Sequence, residues 1–179
     1  MIEVKYNSGK VQELLKRIVE GTQSAEPIMK AIGETVMEIA KQSFETSASP
    51  DGEAWEANSD VTVLRYLEVT GGNFKKDGTL TTKGQARKLN KKPLIGQSRD
   101  LSRQFSYVAD ADSVTVSNTM VYAAMQQFGG SKAQFPHLWG DIPARPFMPM
   151  DADGKLMPET EAEIISLMQD YLDETLNNS

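Results

Sequence analysis

The chain has 179 residues, 39% hydrophobic and 7% aromatic, with no cysteine and a formal net charge of -6. A single domain of this length buries a real core, and the lack of cysteine excludes a disulfide framework and any thiolate nucleophile or metal ligand. No apolar run approaches the roughly 18 residues a membrane span needs, and Met1-Ile2-Glu3-Val4-Lys5 lacks the basic-then-apolar pattern of a secretory leader, so assembly in a cytoplasm is expected.

Residues 1–6 read as a short strand. Ser8 is placed to cap a helix in which Val11, Leu14, Leu15, Ile18 and Val19 recur at helical spacing, with Gly21 as its stop. Pro27 suits the first turn of a second helix, whose apolar stripe is Ile28, Ile32, Val36, Ile39 and Phe44. Ser49-Pro50-Asp51-Gly52 is a turn in which proline and glycine each fix backbone geometry. Trp55, just beyond it, is placed to fold back onto Phe44.

The pattern then becomes mixed. Val61, Val63, Leu67 and Val69 suggest the alternation of a strand, yet Ser59 also suits a helix cap, and both readings stay open. Gly71-Gly72-Asn73 breaks the element either way. Residues 75–92 are polar, basic and glycine-punctuated, with one helical turn expected from Thr82. Loops of such length are usually functional or disordered, and residues 56–92 are read as a loop or insertion.

Beyond Leu101, Phe105, Tyr107 and Ala109 alternate, and Val114 and Val116 do so after Asp110-Ala111-Asp112-Ser113; this is a β-hairpin signature. A short helix carrying Val121, Tyr122, Met125 and Phe128 follows and stops at Gly129-Gly130. Pro136, Pro143, Pro146 and Pro149 stiffen the next segment, and Pro146 restricts Arg145 before it. After a turn at Asp151-Ala152-Asp153-Gly154, a last helix is expected over residues 158–176, with capping-box spacing at Thr160 and Glu163 and an apolar face of Ile164, Ile165, Met168, Tyr171 and Leu172. Residues 150–179 hold eight acids and one lysine, which suits a peripheral helix packed on a neighbour.

Charge is divided along the chain. Residues 65–103 carry ten Lys/Arg and three Asp/Glu, a net +7, and the remainder carries -13. Such a molecule has one part suited to an anionic partner and another suited to a cationic one. Lys75, Lys76, Lys83, Arg87, Lys88, Lys91 and Lys92 could neutralise phosphates or meet an acidic protein surface. No aromatic is interleaved after Phe74, so a base-stacking platform is not expected.

Catalytic, metal and cofactor signals are weak. His137 is the single histidine, and its setting between Pro136 and Leu138-Trp139 points to loop packing. No Gly-x-Ser-x-Gly elbow, P-loop or dinucleotide fingerprint is present. The carboxylate pairs Asp51/Glu53 and Asp110/Asp112 sit on turns, where Asp serves the backbone. Asp151-Ala152-Asp153-Gly154 opens like a calcium loop, but the position that needs glutamate is Ala162. No catalytic, cofactor-binding or metal residue is assigned. Tyr122, Gln127, Phe128, Arg145 and Phe147 are the protein-interface candidates, because a stiff backbone bearing arginine and aromatics is a common anchor. An internal role for Arg145 and Phe147 remains the alternative.

Several segments together resemble the phage virion morphogenesis family. They are Phe44 with Ser49-Pro50-Asp51-Gly52-x-x-Trp55, Lys92-Pro93-Leu94-Ile95, Leu101 and Tyr107, Tyr122-Ala123-x-x-x-Gln127-Phe128-Gly129, and Ile142-Pro143-Ala144-Arg145-Pro146-Phe147. One departure is Ser98-Arg99-Asp100-Leu101, where similar sequences have a Thr-Gly or Ser-Gly pair before the leucine. The resemblance implies an α+β fold, a twisted antiparallel sheet with helices packed on one side, a long basic loop insertion and a peripheral C-terminal helix. It implies a non-enzymatic structural protein for tail completion and head–tail joining, working as a ring of identical copies with a hexamer favoured. Its expected partners are tail tube or sheath and neck or connector proteins, with non-specific contact to DNA in the channel and none to membrane; its place is the virion, at the head–tail junction or tail end. A tail terminator is the near variant. A phage-encoded hydrolase and a DNA-binding accessory protein are the readings of another class.

Overall fold

A computed structural model describes residues 2–4, 9–22 and 24–177. Strand β1 (Ile2–Val4) precedes helices α1 (Gly9–Thr22) and α2 (Glu26–Thr46). Helices α3 (Asp60–Thr70) and α4 (Thr82–Leu89) come next, then the single turn α5 (Asp100–Arg103). The hairpin β2 (Phe105–Ala109) and β3 (Val114–Asn118) leads into α6 (Ala123–Phe128), and α7 (Pro158–Asn177) closes the chain. The expected Ser8 cap lies outside the described residues, and α1 continues to Thr22, one residue past the expected stop at Gly21.

The sheet order is β1-β3-β2, antiparallel throughout, with Val116 of the central strand in register with both Val4 and Tyr107. This is an α+β fold with helices packed on one face of the sheet. Helix α2 lies across β2 and β3. The close approach needs Gly33, where an added Cβ would stand 2.7 Å from the Tyr107 ring. On the opposite face Ser106 and Val108 are exposed, so the period-2 alternation of β2 divides core from solvent.

Helix α2 forms where Glu26 and Pro27 open it. The carboxylate favours the positive helix start, and Glu26 also pairs with Lys30 at 2.8 Å. Its buried stripe is Ile28, Met29, Ile32, Gly33, Val36, Ala40, Ser43 and Phe44. Ala40 takes the place expected for Ile39, because the run 32, 36, 40, 44 advances by close to one turn per step and Ile39 is rotated toward the edge. Helix α7 sits at the periphery of the helical layer and packs on α1 and α2 of its own chain, burying Ile164, Ile165, Met168 and Leu172. It starts at Pro158 rather than at a Thr160 cap; Thr160 is buried inside its first turn.

Residues 56–92 carry two helices, α3 and α4, rather than one continuous loop. The open choice at residues 60–70 resolves to helix: the Ser59 hydroxyl accepts from the Thr62 amide, and Val63 and Leu67, one turn apart, are the buried pair. Thr81 caps α4 in the same way through Gly84. Arg99 stands left-handed at φ 58°, a conformation costing a residue other than glycine roughly 1–2 kcal/mol.

Candidate functional site

The glutamine helix and the proline-bracketed arginine form one unit. The Gln127 side chain is buried, and its Oε1 accepts from the backbone amides of Phe147 and Met148, each at 2.9 Å. Its Nε2 donates to the carbonyls of Met148 at 3.0 Å and Met150 at 3.3 Å. The Arg145 amide donates to the Gln126 carbonyl at 2.8 Å. Gly129 stands at φ 69° with an added Cβ only 2.7 Å from the Ile142 oxygen and Ala144 nitrogen, so the two segments touch backbone to backbone.

Phe147 is fully buried and closes an aromatic cluster, its ring centroid 5.2 Å from Phe44 and 5.9 Å from Phe105. Trp55 meets Phe44 edge-on at 5.4 Å, as its sequence position suggests, and its indole N–H donates to the Pro146 carbonyl at 2.8 Å. Arg145 is buried as well. Its guanidinium donates to the carbonyls of Glu56 at 2.9 Å and Ala57 at 3.1 Å; burial lowers its pKa, with the Glu56 charge acting against that shift. Gln127, Arg145 and Phe147 are therefore internal, and they cannot present themselves to another chain as surface anchors. Tyr122 and Phe128 are exposed. The buried side of α6 is Ala123 and Gln127 rather than the expected apolar set, because the helix faces the carbonyls and amides of residues 147–150.

Arg145 also holds the base of a small appendage built from α3 and α4. Asn58 donates to the Lys91 carbonyl and Lys92 to the Glu45 carbonyl, which fixes where the appendage leaves and rejoins the body. Inside it, Arg87 donates to the carbonyls of Thr70 and Gly71 and to Asn73 Oδ1, satisfying acceptors at the end of α3. Buried Asn73 binds the Leu67 carbonyl at 2.6 Å. Lys91 lies over the Tyr66 ring at 5.1 Å, donates to the Ile95 carbonyl, and has its pKa lowered by burial. Arg87 and Lys91 thus have internal work, whereas Lys92, although it reaches the Glu45 carbonyl, is exposed like Lys75, Lys76, Lys83 and Lys88. Replacing Arg145 with lysine is expected to loosen this base. Each lost bond from a charged donor is worth roughly 1.5–3 kcal/mol, so amides of residues 60–89 should exchange with solvent about tenfold faster or more, while those of β3 hold.

The carboxylates serve turns. Asp51 accepts from the Ser49 hydroxyl and the Glu53 amide. The Ser49 hydroxyl is the chief cause of its lowered pKa, the reverse of what a general acid needs. Asp151 accepts from the amides of Asp153 and Lys155. His137 lies in an exposed loop beside Phe135, ring centroids 6.2 Å apart. Among the described residues no cluster of His, Asp or Glu is arranged to hold a metal ion, and no helix is long and apolar enough to cross a membrane.

The comparisons with known proteins agree with this framework. The putative capsid assembly protein G of Escherichia phage Mu is 30% identical over 129 residues, which is 72% of this chain and 70% of that protein. No solved structure matches the chain significantly. The phage virion morphogenesis family matches residues 6–173, spanning the β2–β3 hairpin, the appendage and most of α7. The chain belongs to the phage virion morphogenesis family.

Proposed function

We propose that this protein is a virion component that completes the phage tail and joins it to the head, as a closed ring of identical copies, a hexamer being the favoured closure. A structural or assembly role follows from the family. The observation that carries the finer reading is the family match over residues 6–173; the name of the Mu relative, a capsid assembly protein, points the same way. The chemistry suits contact rather than turnover: Gln127 and Arg145 bind backbone, and Asp51 and Asp151 fasten turns. A tail terminator at the tail end is the near alternative. Tail tube or sheath proteins and neck or connector proteins are the proposed neighbours.

The exposed lysines of the appendage supply one contact. Helix α7 presents an acidic outer side, with Glu159, Glu163, Asp170, Asp173 and Glu174 exposed. A basic appendage meeting the acidic helix of the next copy is a heterologous contact, the kind that closes rings. Reversing Lys76, Lys83 and Lys88 to glutamate, with Arg87 left in place because it closes α3, should weaken assembly at least tenfold and reduce its salt sensitivity. Native mass spectrometry and counts of joined particles measure this. Unchanged assembly, with DNA binding lost instead, would assign the lysines to DNA.

A further inference from the structure

We infer that the loop of residues 131–141 on one copy inserts Trp139 and Phe135 into an apolar cavity between α1, α2 and the β2–β3 turn of the next copy. The inference rests on the ring reading and names a joint for it.

The knob is unusual for a surface. Trp139 is 101% exposed, and Phe135, Phe128, Tyr122 and Val121, in the same loop and in the α6 segment that leads to it, are exposed as well. An exposed cluster of this kind marks a contact site rather than a random surface, and tryptophan and tyrosine are frequent anchors. The loop is held as a unit: Gly130 and Ile142 exchange both backbone hydrogen bonds, and Phe135 and Leu138 amides close turns inside it. Phe135 also rests against Gly130, where an added Cβ would lie 3.0 Å from the ring.

The socket is a cavity of about 500 Å³ lined by Val11, Leu15, Met29, Val114 and Ile164, with Gln12 and Asp112 among its polar lining groups. Its size suits one large aromatic side chain with a neighbour, and its lining offers few polar groups to a soluble ligand. Lys132 in the loop is exposed and Asp112 at the socket is exposed, so opposite charges can meet at the edge of the joint.

Placement argues that the occupant comes from another copy. The socket runs from the hairpin turn to the middle of β3, beside Asp112–Val116. The knob lies beyond the other end of that strand: Asn118 and Met120 lead into α6, and Tyr122, Ile142 and Leu101 border one cleft. From Val114 in the socket to Asn118 is roughly 13 Å of strand, and the turns inside the loop hold it at the far end. One knob and one socket at opposite ends give a head-to-tail contact, which repeats around a ring. Aromatic side chains bury roughly 150–250 Å² each; the four here, three already partly covered, supply about half of the ~800 Å² per partner of a standard interface. The basic-to-acidic contact described above supplies further area in the same joint.

The test uses full-length protein and two surface variants, Trp139→Ala and Gln12→Phe, the second laying an aromatic ring across the socket mouth. Thermal unfolding checks that both fold. Sedimentation velocity over a concentration series should show each variant associating at least tenfold more weakly than the parent. Mixed in equal amounts, they should form two-chain complexes and nothing larger, since only the Gln12→Phe knob and the Trp139→Ala socket remain competent. If Trp139→Ala assembles as the parent does, or the mixture associates no better than its components, the inference is overturned while the ring stands. If the parent itself stays solitary at every concentration and with tail proteins added, the ring reading fails and takes the joint with it.

Discussion

Replacing Gln127 with alanine is expected to destabilise the protein by roughly 3–5 kcal/mol, since it strands two amides and one carbonyl in a dry interior at about 1–3 kcal/mol for each group that water cannot reach. For a chain of this size that corresponds to a fall in Tm of roughly 10 °C or more. The groups stranded would be the amides of Phe147 and Met148 and the carbonyl of Met150, while the Met148 carbonyl keeps the Met150 amide as a donor at 2.8 Å. A second variant separates hydrogen bonding from packing. In Gln127→Glu the shape is kept, and one carboxyl oxygen still accepts from the two amides. The other oxygen faces two carbonyls and must carry a proton to donate. Its folded pKa is therefore raised above the ordinary value of about 4.3. The sign follows: stability is present below that ordinary value and is lost as pH rises through the raised one. Urea unfolding of Gln127→Glu against the parent should give a small gap near pH 4 and a gap like that of Gln127→Ala near pH 8. A gap that did not change with pH would show that water fills the site and that the hydrogen bonds are dispensable.

The parts of the fold legible in the sequence are those whose partners are near in the chain or whose pattern has a period. Phe105, Tyr107 and Ala109 alternate because one face of β2 meets α2, and that alone places the hairpin. The stripe of α2 and the return of Trp55 to Phe44 follow from helical spacing and a tight turn. Helix α3 stayed open because its valines divide: Val63 is buried, whereas Val61 and Val69 are 75% and 69% exposed. β-branched residues on a solvated face imitate a strand, and only the Ser59 cap, a local hydrogen bond, decides for helix. Charge misled in one respect. Arg87 and Lys91 belong to a basic run that reads as a surface, yet both are half-buried and donate to backbone carbonyls that need a partner. Gln127, Arg145 and Phe147 are internal for a related reason, while Tyr122 and Phe128 stay exposed. Gln127 and Arg145 are polar in composition, but their partners are backbone groups 20 to 23 residues away for Gln127 and 88 or 89 away for Arg145. No periodicity encodes such a bond. The signal that existed was the joint appearance of Gln127-Phe128-Gly129 and Arg145-Pro146-Phe147 in one resemblance: two segments that travel together are two halves of one packed unit. Trp139 had no sequence signal at all, since an aromatic in a proline-rich stretch reads equally as core.

Phe147→Ala should match the glutamine substitution in size, at about 3–5 kcal/mol for a buried phenylalanine removed from a close-packed site, while Phe147→Leu should cost a fraction of that. The ring is fully buried between Phe44 and Phe105, and its removal leaves a void that neither neighbour fills: Phe44 is held by α2 and by Trp55, and Phe105 by its register against Asn118. The two large substitutions are not independent. Phe147 contributes the ring to the aromatic cluster and its backbone amide to Gln127, so either change frees the segment that the other relies on. Residues that share partners couple by about 0.5–3 kcal/mol. The double variant Gln127→Ala/Phe147→Ala is therefore expected to lose less stability than the two single losses added together, by at least 1 kcal/mol or so. Denaturant unfolding of the four proteins in the cycle measures it. Strict additivity would mean that the hydrogen bonds of Gln127 and the cluster around Phe147 stabilise the fold separately, and that the arginine-bearing segment between Ile142 and Met150 is held at two independent points. Coupling would mean that it is held as one, with Arg145 and the appendage it carries positioned by the core itself.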